Sequence, residues 1–196
     1  MPQSIRNSQD LDYFHDSEER VATTYEADKG LLDKAGYDVK VDIKQPGYIR
    51  ATIRKEDKLT KLEWAHDSAW RFMPVQKSKD FGHVLHPIDL AINKVLALAG
   101  RDEPRDYLDI HYIHNEVLDL GSLCWAACGK DPGMTPLSLL ELLKRRGRYR
   151  PEDFKRLHLS EGFSEINLFD LKRKWLRMME ESEELIRELP PEEVGC

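Results

Sequence analysis

Two aspartates, Asp10 and Asp12, are separated by a single residue near the start of the chain, in the stretch SQDLDYF. If this stretch is a strand, side chains two residues apart project from the same face, so both carboxylates point the same way. Neighbouring carboxylates repel each other unless a cation lies between them, and Mg²⁺ bound with substrate phosphates is a common solution. A second interpretation is an exposed polar loop, because two acids at this spacing are common in proteins.

A third carboxylate would complete such a metal site, and two positions compete for it. Glu63 lies in KLTKLEWA, a stretch that alternates like a strand, and Asp42 lies in YDVKVDI, which alternates more cleanly. The clean alternation around Asp42 indicates a solvent-facing strand position. We therefore favour Glu63 as the third member beside Asp10 and Asp12.

A second group of charged residues lies in PIDLAINKVLALAGRDEPRDYLD. Its first part, predicted as a helix from Pro87 to Gly100, is apolar almost all round, which is typical of a buried helix. Burial of Lys94 in this helix costs free energy unless its ammonium group reaches water or an anion. Lys94 and Arg101 share one helical face, and Asp106 follows. Two interpretations stay open: an ordinary surface ion-pair cluster, and a phosphate-binding surface formed by Lys94 and Arg101.

The elements that must carry these residues follow from the hydrophobic pattern. A helix is predicted over residues 17–35, with Asp16 and Glu19 as a capping box and Gly36 as its stop. Three alternating stretches, YDVKVDI, YIRATIR and KLTKLEWA, predict short antiparallel strands, and QPG after the first predicts a turn.

From about residue 86 the pattern becomes helical, and the last helix is predicted over residues 165–189. The fold class is therefore α+β: a sheet with flanking helices, then an all-helical domain. We place the two domains at residues 1–85 and 86–196.

Composition limits the kinds of protein that the chain can be. Hydrophobic residues make up 40% and charged residues 34%, which suits a globular core. No apolar run of about 18 residues is present, no signal-peptide pattern opens the sequence, and three cysteines do not suggest a disulfide framework. We therefore expect a cytoplasmic protein with no membrane span.

The net charge of −6 restricts any nucleic-acid contact to a local basic patch. The candidate is KRRGRYR at residues 144–150, and it has two interpretations. One is a solvated helix end, where cations are favoured. The other is a surface for tRNA or another acceptor, formed by Lys144, Arg145, Arg146, Arg148 and Arg150.

Four stretches together resemble the nucleotidyltransferase toxin family of abortive-infection systems: SQDLDYF, LEWAHDSAWRF, LHPIDLAINKVLALAGRDEPRDYLDIHYI and PLSLLELLKRRGRY. The similarity spans about residues 5–150. Its most specific part is N-K-V-L-A-L-x-G-R followed by R-D-Y-x-D, because several separated polar residues recur in one order. The resemblance implies a nucleotidyltransferase-like mixed sheet with flanking helices, followed by the helical domain.

The resemblance also implies roles for the acids of the predicted sheet. Asp10 and Asp12 would bind Mg²⁺ and the nucleoside triphosphate. Glu63 stands where the family usually has an aspartate before an aromatic residue, and it would be the third metal ligand and catalytic carboxylate. It would also assist deprotonation of the acceptor hydroxyl.

In the helical half, the resemblance implies a nucleotide-binding group. Lys94 matches the family's phosphate-contacting lysine, Arg101 shares its face, and Asp106 matches a later acidic motif. We expect this group to face the same cleft as the acids. The implied activity is metal-dependent transfer of a nucleoside monophosphate from a triphosphate to a hydroxyl on an RNA end or a protein side chain. The implied setting is a toxin–antitoxin or phage-defence pair, with an antitoxin protein as partner.

One departure from the family bears on activity. The family carries a Gly-Ser or Gly-Gly turn before the acid pair, whose backbone amides approach the triphosphate. Only nine residues precede Asp10 in this chain, and none is glycine. Three explanations stay open: a start codon assigned too late, a truncated protein, or a shortened inactive relative. We therefore expect the 196-residue form to be weak or inactive, and the alternative function is a non-catalytic interaction protein.

Overall fold

The computed structural model describes residues 10–155, 157 and 167–189 of the chain. It divides into two compact units between Ala69 and Trp70. The first is built on a mixed sheet and the second on helices, which confirms the predicted α+β class. Residues 70–85, which the sequence assigned to the first domain, cluster with the helical unit.

The sheet unit has four strands and one helix in its described residues. In chain order they are β1 (Asp10–His15), α1 (Glu18–Lys34), β2 (Asp38–Gln45), β3 (Tyr48–Lys55) and β4 (Lys58–His66). The strand order across the sheet is β1-β4-β3-β2. As predicted, β2, β3 and β4 are antiparallel neighbours, whereas β1 pairs in parallel with β4.

Local sequence signals explain where α1 and the first hairpin turn occur. The predicted cap, Asp16, is wrong, because Ser17 is the N-cap and its hydroxyl accepts the Arg20 amide at 3.3 Å. Gly36 follows the helix with a φ of +77°, the conformation that suits a glycine stop. The predicted turn between β2 and β3 is confirmed, and Gly47 adopts a φ of +70° in it.

The core of the sheet unit lies between α1 and one face of the sheet. Its buried residues are Val21, Tyr25, Ile49, Ala51, Ile53, Leu62 and Trp64. Trp64 on β4 is fully buried, and its ring stacks on Tyr13 with ring centroids 6.2 Å apart and meets the edge of Tyr25 at 5.2 Å. Its indole nitrogen donates to Asp28 at 2.8 Å. Because alternate strand residues point to opposite faces, the polar residues between these apolar ones face away from α1.

The helical unit contains a short hairpin and six helices in the part of it that the structure describes. They are β5 (Gln76–Ser78), β6 (Gly82–Val84), α2 (Pro87–Arg101), α3 (Pro104–Glu116), α4 (Leu120–Lys130), α5 (Pro136–Lys144), α6 (Pro151–Phe154) and α7 (Leu168–Glu188). Their apolar faces form one core to which α2, α3, α4, α5 and α7 all contribute. The predicted first residues of the last helix, 165 and 166, lie outside the described residues. None of the described helices combines the length and the apolar character that crossing a bilayer requires.

The end of α2 differs from the prediction. Gly100 does not stop the helix, which continues to Arg101, and Asp102 then adopts a left-handed conformation with a φ of +49°. The side chain of Asp102 accepts a hydrogen bond of 2.5 Å from the Tyr149 hydroxyl and pairs with Arg146 at 3.6 Å. Contacts from the chain after α5 therefore hold this non-glycine residue in a conformation that is uncommon for it.

A histidine is buried in the helical core. His111 on α3 is 4% exposed, and its ring packs against those of Tyr107 and Trp175 at centroid distances of 4.7 and 5.7 Å. Burial, with a smaller contribution from Lys174, lowers the pKa of His111 to about 4. The folded protein therefore holds this imidazole neutral at pH values where an exposed histidine is charged.

The stability of the helical unit should fall as the pH falls from about 6.5 towards 4. The pKa of His111 is lower in the folded state, so the unfolded chain takes up the proton first, and the stabilisation is complete only above about pH 6.5. Between pH 7.5 and pH 5, the wild type should lose about 2 kcal/mol more unfolding free energy than His111→Asn. Urea unfolding followed by tryptophan fluorescence measures this difference.

The exposed His83 on β6 provides the matched control. His83→Asn should keep the wild-type pH dependence of unfolding. If His111→Asn also kept it, another group would be responsible for the acid sensitivity.

Candidate functional site

The acid pair lies on a strand, and both of its members project from the sheet face opposite α1, which we call the acid face. In β1, Tyr13 stacks on the buried Trp64 on the α1 side of the sheet. Asp10 and Asp12 therefore point to the other side, because side chains alternate along a strand. The predicted strand placement of the pair is confirmed.

The register of the sheet decides which acid lies next to the pair. In the parallel pairing of β1 with β4, Asp12 is directly opposite Glu63, and neighbouring strands lie about 4.8 Å apart. Asp42 lies on β2, the opposite edge of the sheet, at a register shift, where its carboxylate accepts a 2.6 Å hydrogen bond from Thr52. The sheet thus places Glu63, and not Asp42, beside the aspartates.

Both carboxylate oxygens of Glu63 are held by side chains of β3. Arg50 donates through Nε to Oε1 at 2.8 Å, and the Tyr48 hydroxyl donates to Oε2 at 2.8 Å. The guanidinium of Arg50 also lies over the Tyr48 ring, 5.6 Å from its centroid. Burial and then the hydrogen bond to Glu63 raise the pKa of Tyr48 to about 12. Tyr48 therefore keeps its proton and remains a donor to Glu63.

The donor set fits a hard divalent cation by its chemistry, because carboxylate oxygens are the ligands that Mg²⁺ prefers. Asp10, Asp12 and Glu63 lie on one face of two adjacent strands. Within residues 10–155, 157 and 167–189, however, no group of three or more His, Cys, Asp or Glu side chains is arranged to hold a metal. Glu63 is directed to Arg50 and Tyr48 instead, and the metal site stays a prediction.

The second charged group lies between α2 and α3 and is centred on Asp106, whose side chain is fully buried. Arg101 donates two hydrogen bonds to the Asp106 carboxylate, from Nε at 2.7 Å and from Nη2 at 3.0 Å. Lys94 bridges Asp106 at 3.2 Å and Asp109 at 2.8 Å. Burial alone would raise the pKa of Asp106, but the bonds from Arg101 and the charge of Lys94 hold it below its usual range.

This arrangement tests the two interpretations of Lys94 and Arg101. Their predicted common face is confirmed, because both cations reach the same carboxylate. The ion-pair cluster is present, but Asp106 at its centre is inaccessible to solvent. The side chains of Lys94 and Arg101 remain 31% and 47% exposed, so both still present positive charge to solvent. Phosphate binding, and a cleft shared with the acid pair, stay predictions.

The sequence patterns did not identify Asp89, which binds the segment at the start of the helical unit. It is 4% exposed in the first turn of α2, and its carboxylate accepts the backbone amides of Phe72 at 2.8 Å and Met73 at 3.0 Å. The available signal was an acidic residue in the first turn of a mostly apolar helix. Asp89 therefore fixes the segment that leads into the β5–β6 hairpin.

Part of the basic run is engaged within the helical unit. Lys144 pairs with Glu183 at 2.5 Å, and this bond, with one from Arg187, lowers the pKa of Glu183 to about 2. Arg146 donates to the Ala99 carbonyl as well as pairing with Asp102. The exposed members of the run are Arg145, Arg148 and Arg150. Binding of tRNA or another acceptor by this run stays a prediction.

Comparisons of the chain with protein-family models, with curated proteins and with solved structures find no match. The resemblance to nucleotidyltransferase toxins therefore rests on the sequence motifs alone.

The buried position of Asp106 predicts a large cost for neutralising it. Asp106→Asn should lower the unfolding free energy by about 3 kcal/mol, because it leaves Arg101 and Lys94 without their shared buried partner. Asp109→Asn should cost less than Asp106→Asn, since the Asp109 side chain is 12% exposed whereas that of Asp106 is fully buried. Urea unfolding of both variants, with circular dichroism to check helix content, gives the comparison. Equal losses would mean that Asp106 is not the centre of the cluster.

Proposed function

We propose that the chain is a metal-dependent nucleotidyltransferase, in which the sheet unit has a nucleotidyltransferase-like fold. It moves a nucleoside monophosphate from a nucleoside triphosphate to a hydroxyl of an RNA end or a protein side chain. The proposed setting is the toxin of a toxin–antitoxin or phage-defence pair. The observation that carries the proposal is the placement of Asp12 directly beside Glu63, with Asp10 on the same face.

Three carboxylates on adjoining strands suit nucleotidyl transfer because this chemistry depends on positioning and on charge stabilisation. Bound Mg²⁺ would neutralise the charge on the triphosphate oxygens. Asp10 and Asp12 are the residues proposed to hold it, with Glu63 as third ligand. The acceptor oxygen bonds to the α-phosphorus, the bond to the β-phosphate oxygen breaks, and pyrophosphate leaves. The proton of the acceptor hydroxyl passes to one of the three carboxylates, and we keep Glu63 as the first candidate.

The helical unit contributes the proposed nucleotide-binding residues. Lys94 and Arg101 are oriented by the buried Asp106 rather than by solvent, so their charges are fixed in place before an anion arrives. Pre-oriented cations bind phosphate with less loss of side-chain entropy than mobile ones. This supports a role for Lys94 and Arg101 in phosphate binding.

A second candidate is a non-catalytic interaction protein that pairs with an antitoxin-like partner. It is favoured by one observation: the functional groups are already satisfied by protein contacts. Glu63 is held by Arg50 and Tyr48, and Lys94 is held by two aspartates. In a protein that keeps the fold without the chemistry, such contacts are purely structural.

Labelled nucleoside triphosphates distinguish the two candidates. The chain should transfer label to total tRNA or to lysate protein when Mg²⁺ is present and not when it is chelated, at the low rate expected without the glycine turn. Asp12→Asn should reduce the rate by about 10²–10³-fold, because it removes a carboxylate proposed to hold the Mg²⁺ that would stabilise the charge on the triphosphate. Glu63→Gln should reduce it similarly.

Asp42→Asn is the matched control, since it removes a carboxylate at the opposite edge of the same sheet. It should keep the wild-type rate. Absence of transfer with all four triphosphates, together with a wild-type chain that binds no Mn²⁺, would favour the interaction protein.

A further inference from the structure

The last helix, α7, leaves two large apolar side chains exposed to solvent. The side of α7 that packs against α4 and α5 contains the buried residues Trp175, Met178, Met179, Ser182 and Ile186. Phe169 and Leu176 lie away from this side, and the two residues are 73% and 63% exposed. Because positions seven residues apart share one face of a helix, both lie on the same outward face. Exposed apolar side chains that share a face mark a candidate interaction surface.

Three charged residues complete this surface, which we call the outer face of α7. Arg173, Glu180 and Glu184 lie at helical spacings from the two apolar residues, and all three are exposed. Arg173 bonds to Asp170 at 3.0 Å, but its side chain remains 64% exposed. Among the residues that the structure describes, none forms an ion pair with Glu180 or Glu184. The outer face thus offers both positive and negative charge to a partner.

The charges on α7 are separated by sign along the helix. Residues 168–177 include four basic residues and one acidic residue, whereas residues 178–188 include five acidic residues and one basic residue. Arg173 lies four residues before Arg177, and like charges at this spacing destabilise a helix. Glu180 likewise lies four residues before Glu184. The separation therefore costs α7 stability unless charges of the opposite sign are brought against each half.

A second copy of α7 supplies such charges when the two helices run antiparallel. With a two-fold axis between Leu176 and Arg177, Arg173 of each copy lies opposite Glu180 of the other copy, because both are equally far from the axis. The two Leu176 side chains then meet at the centre of the contact. Residues 168–185 overlap, which is roughly 27 Å of helix at about 1.5 Å per residue. A parallel pairing would instead place like charges side by side.

We propose that the outer face of α7 is a self-association surface, through which two copies of the chain form an antiparallel dimer with two-fold symmetry. The symmetry repeats each contact, so the dimer contains two Arg173–Glu180 ion pairs. Charge favours a second copy over other partners, since an anionic surface such as nucleic acid would repel the acidic half of α7. A contact between two single helices is small, so we expect a dissociation constant in the micromolar range. None of the residues proposed for nucleotidyl transfer takes part, so the two proposals are tested separately.

Charge reversal tests the pairing of Arg173 with Glu180. Arg173→Glu and Glu180→Arg each place like charges across the contact at two sites, so each should raise the dimer dissociation constant at least about tenfold. The double variant Arg173→Glu/Glu180→Arg restores opposite charges and should return to within about threefold of the wild type. Sedimentation equilibrium of the full chain measures the constant at low ionic strength, because salt screens exposed charges.

Two further variants separate the apolar contact from general effects of charge. Leu176→Ser removes the side chain at the centre of the contact and should raise the dissociation constant about tenfold. Lys79→Glu is the matched control, because Lys79 is exposed in the turn of the β5–β6 hairpin and its replacement reverses a charge outside α7. It should keep the wild-type constant. Circular dichroism checks that every variant keeps the helix content of the wild type.

Several results would overturn the inference. One is a wild-type chain that stays monomeric up to roughly 1 mM. Another is a dimer whose dissociation constant is unchanged by Arg173→Glu, Glu180→Arg and Leu176→Ser, since a different surface would then hold it. Weakening by both single reversals with no recovery in the double variant would exclude the antiparallel pairing. A monomeric wild type whose binding to total tRNA or to anionic vesicles is lost in Leu176→Ser would assign the outer face to a different ligand.

Discussion

The acid face depends on one constraint, the parallel pairing of β1 with β4 in a single register. Asp12 lies beside Glu63 only in this register, and a slip by one residue would turn the aspartates towards α1. The stack of Tyr13 on the buried Trp64 opposes such a slip, because it fills the α1 side of the same strand pair. An apolar contact on one side of the sheet thus determines which polar groups meet on the other.

In the helical unit, the comparable constraint is the burial of one carboxylate, that of Asp106. Asp106 is fully buried and accepts bonds from both Lys94 and Arg101. Removing a charge from water is costly, and the cost is offset only when several donors surround it. The two cations are consequently held by α3 as well as by their own helix. Their placement is a property of the packed unit and not of α2 alone.

Short-range signals in the sequence predicted much of the sheet unit and of the acid pair. The two-residue period of side chains along a strand predicted that both aspartates lie on one face. The alternation of apolar and polar residues located the strand that carries Glu63. The parallel partner of β1 and the Arg50–Glu63 bond depend on register between distant segments, which periodicity does not encode. The same limit explains the wrong stop at Gly100: Asp102 is held in its left-handed conformation by Tyr149, which is remote in sequence.

The position of β1 in the sheet also has a kinetic consequence. The pairings of β2 with β3 and of β3 with β4 join consecutive strands through tight turns, so each closes a short loop. The pairing of β1 with β4 must close a loop that contains α1 and two strands, which costs more chain entropy and slows formation. We therefore expect β1 to dock last and its amides to exchange hydrogen before those of β3. The three carboxylates would then meet only in molecules that have completed the sheet.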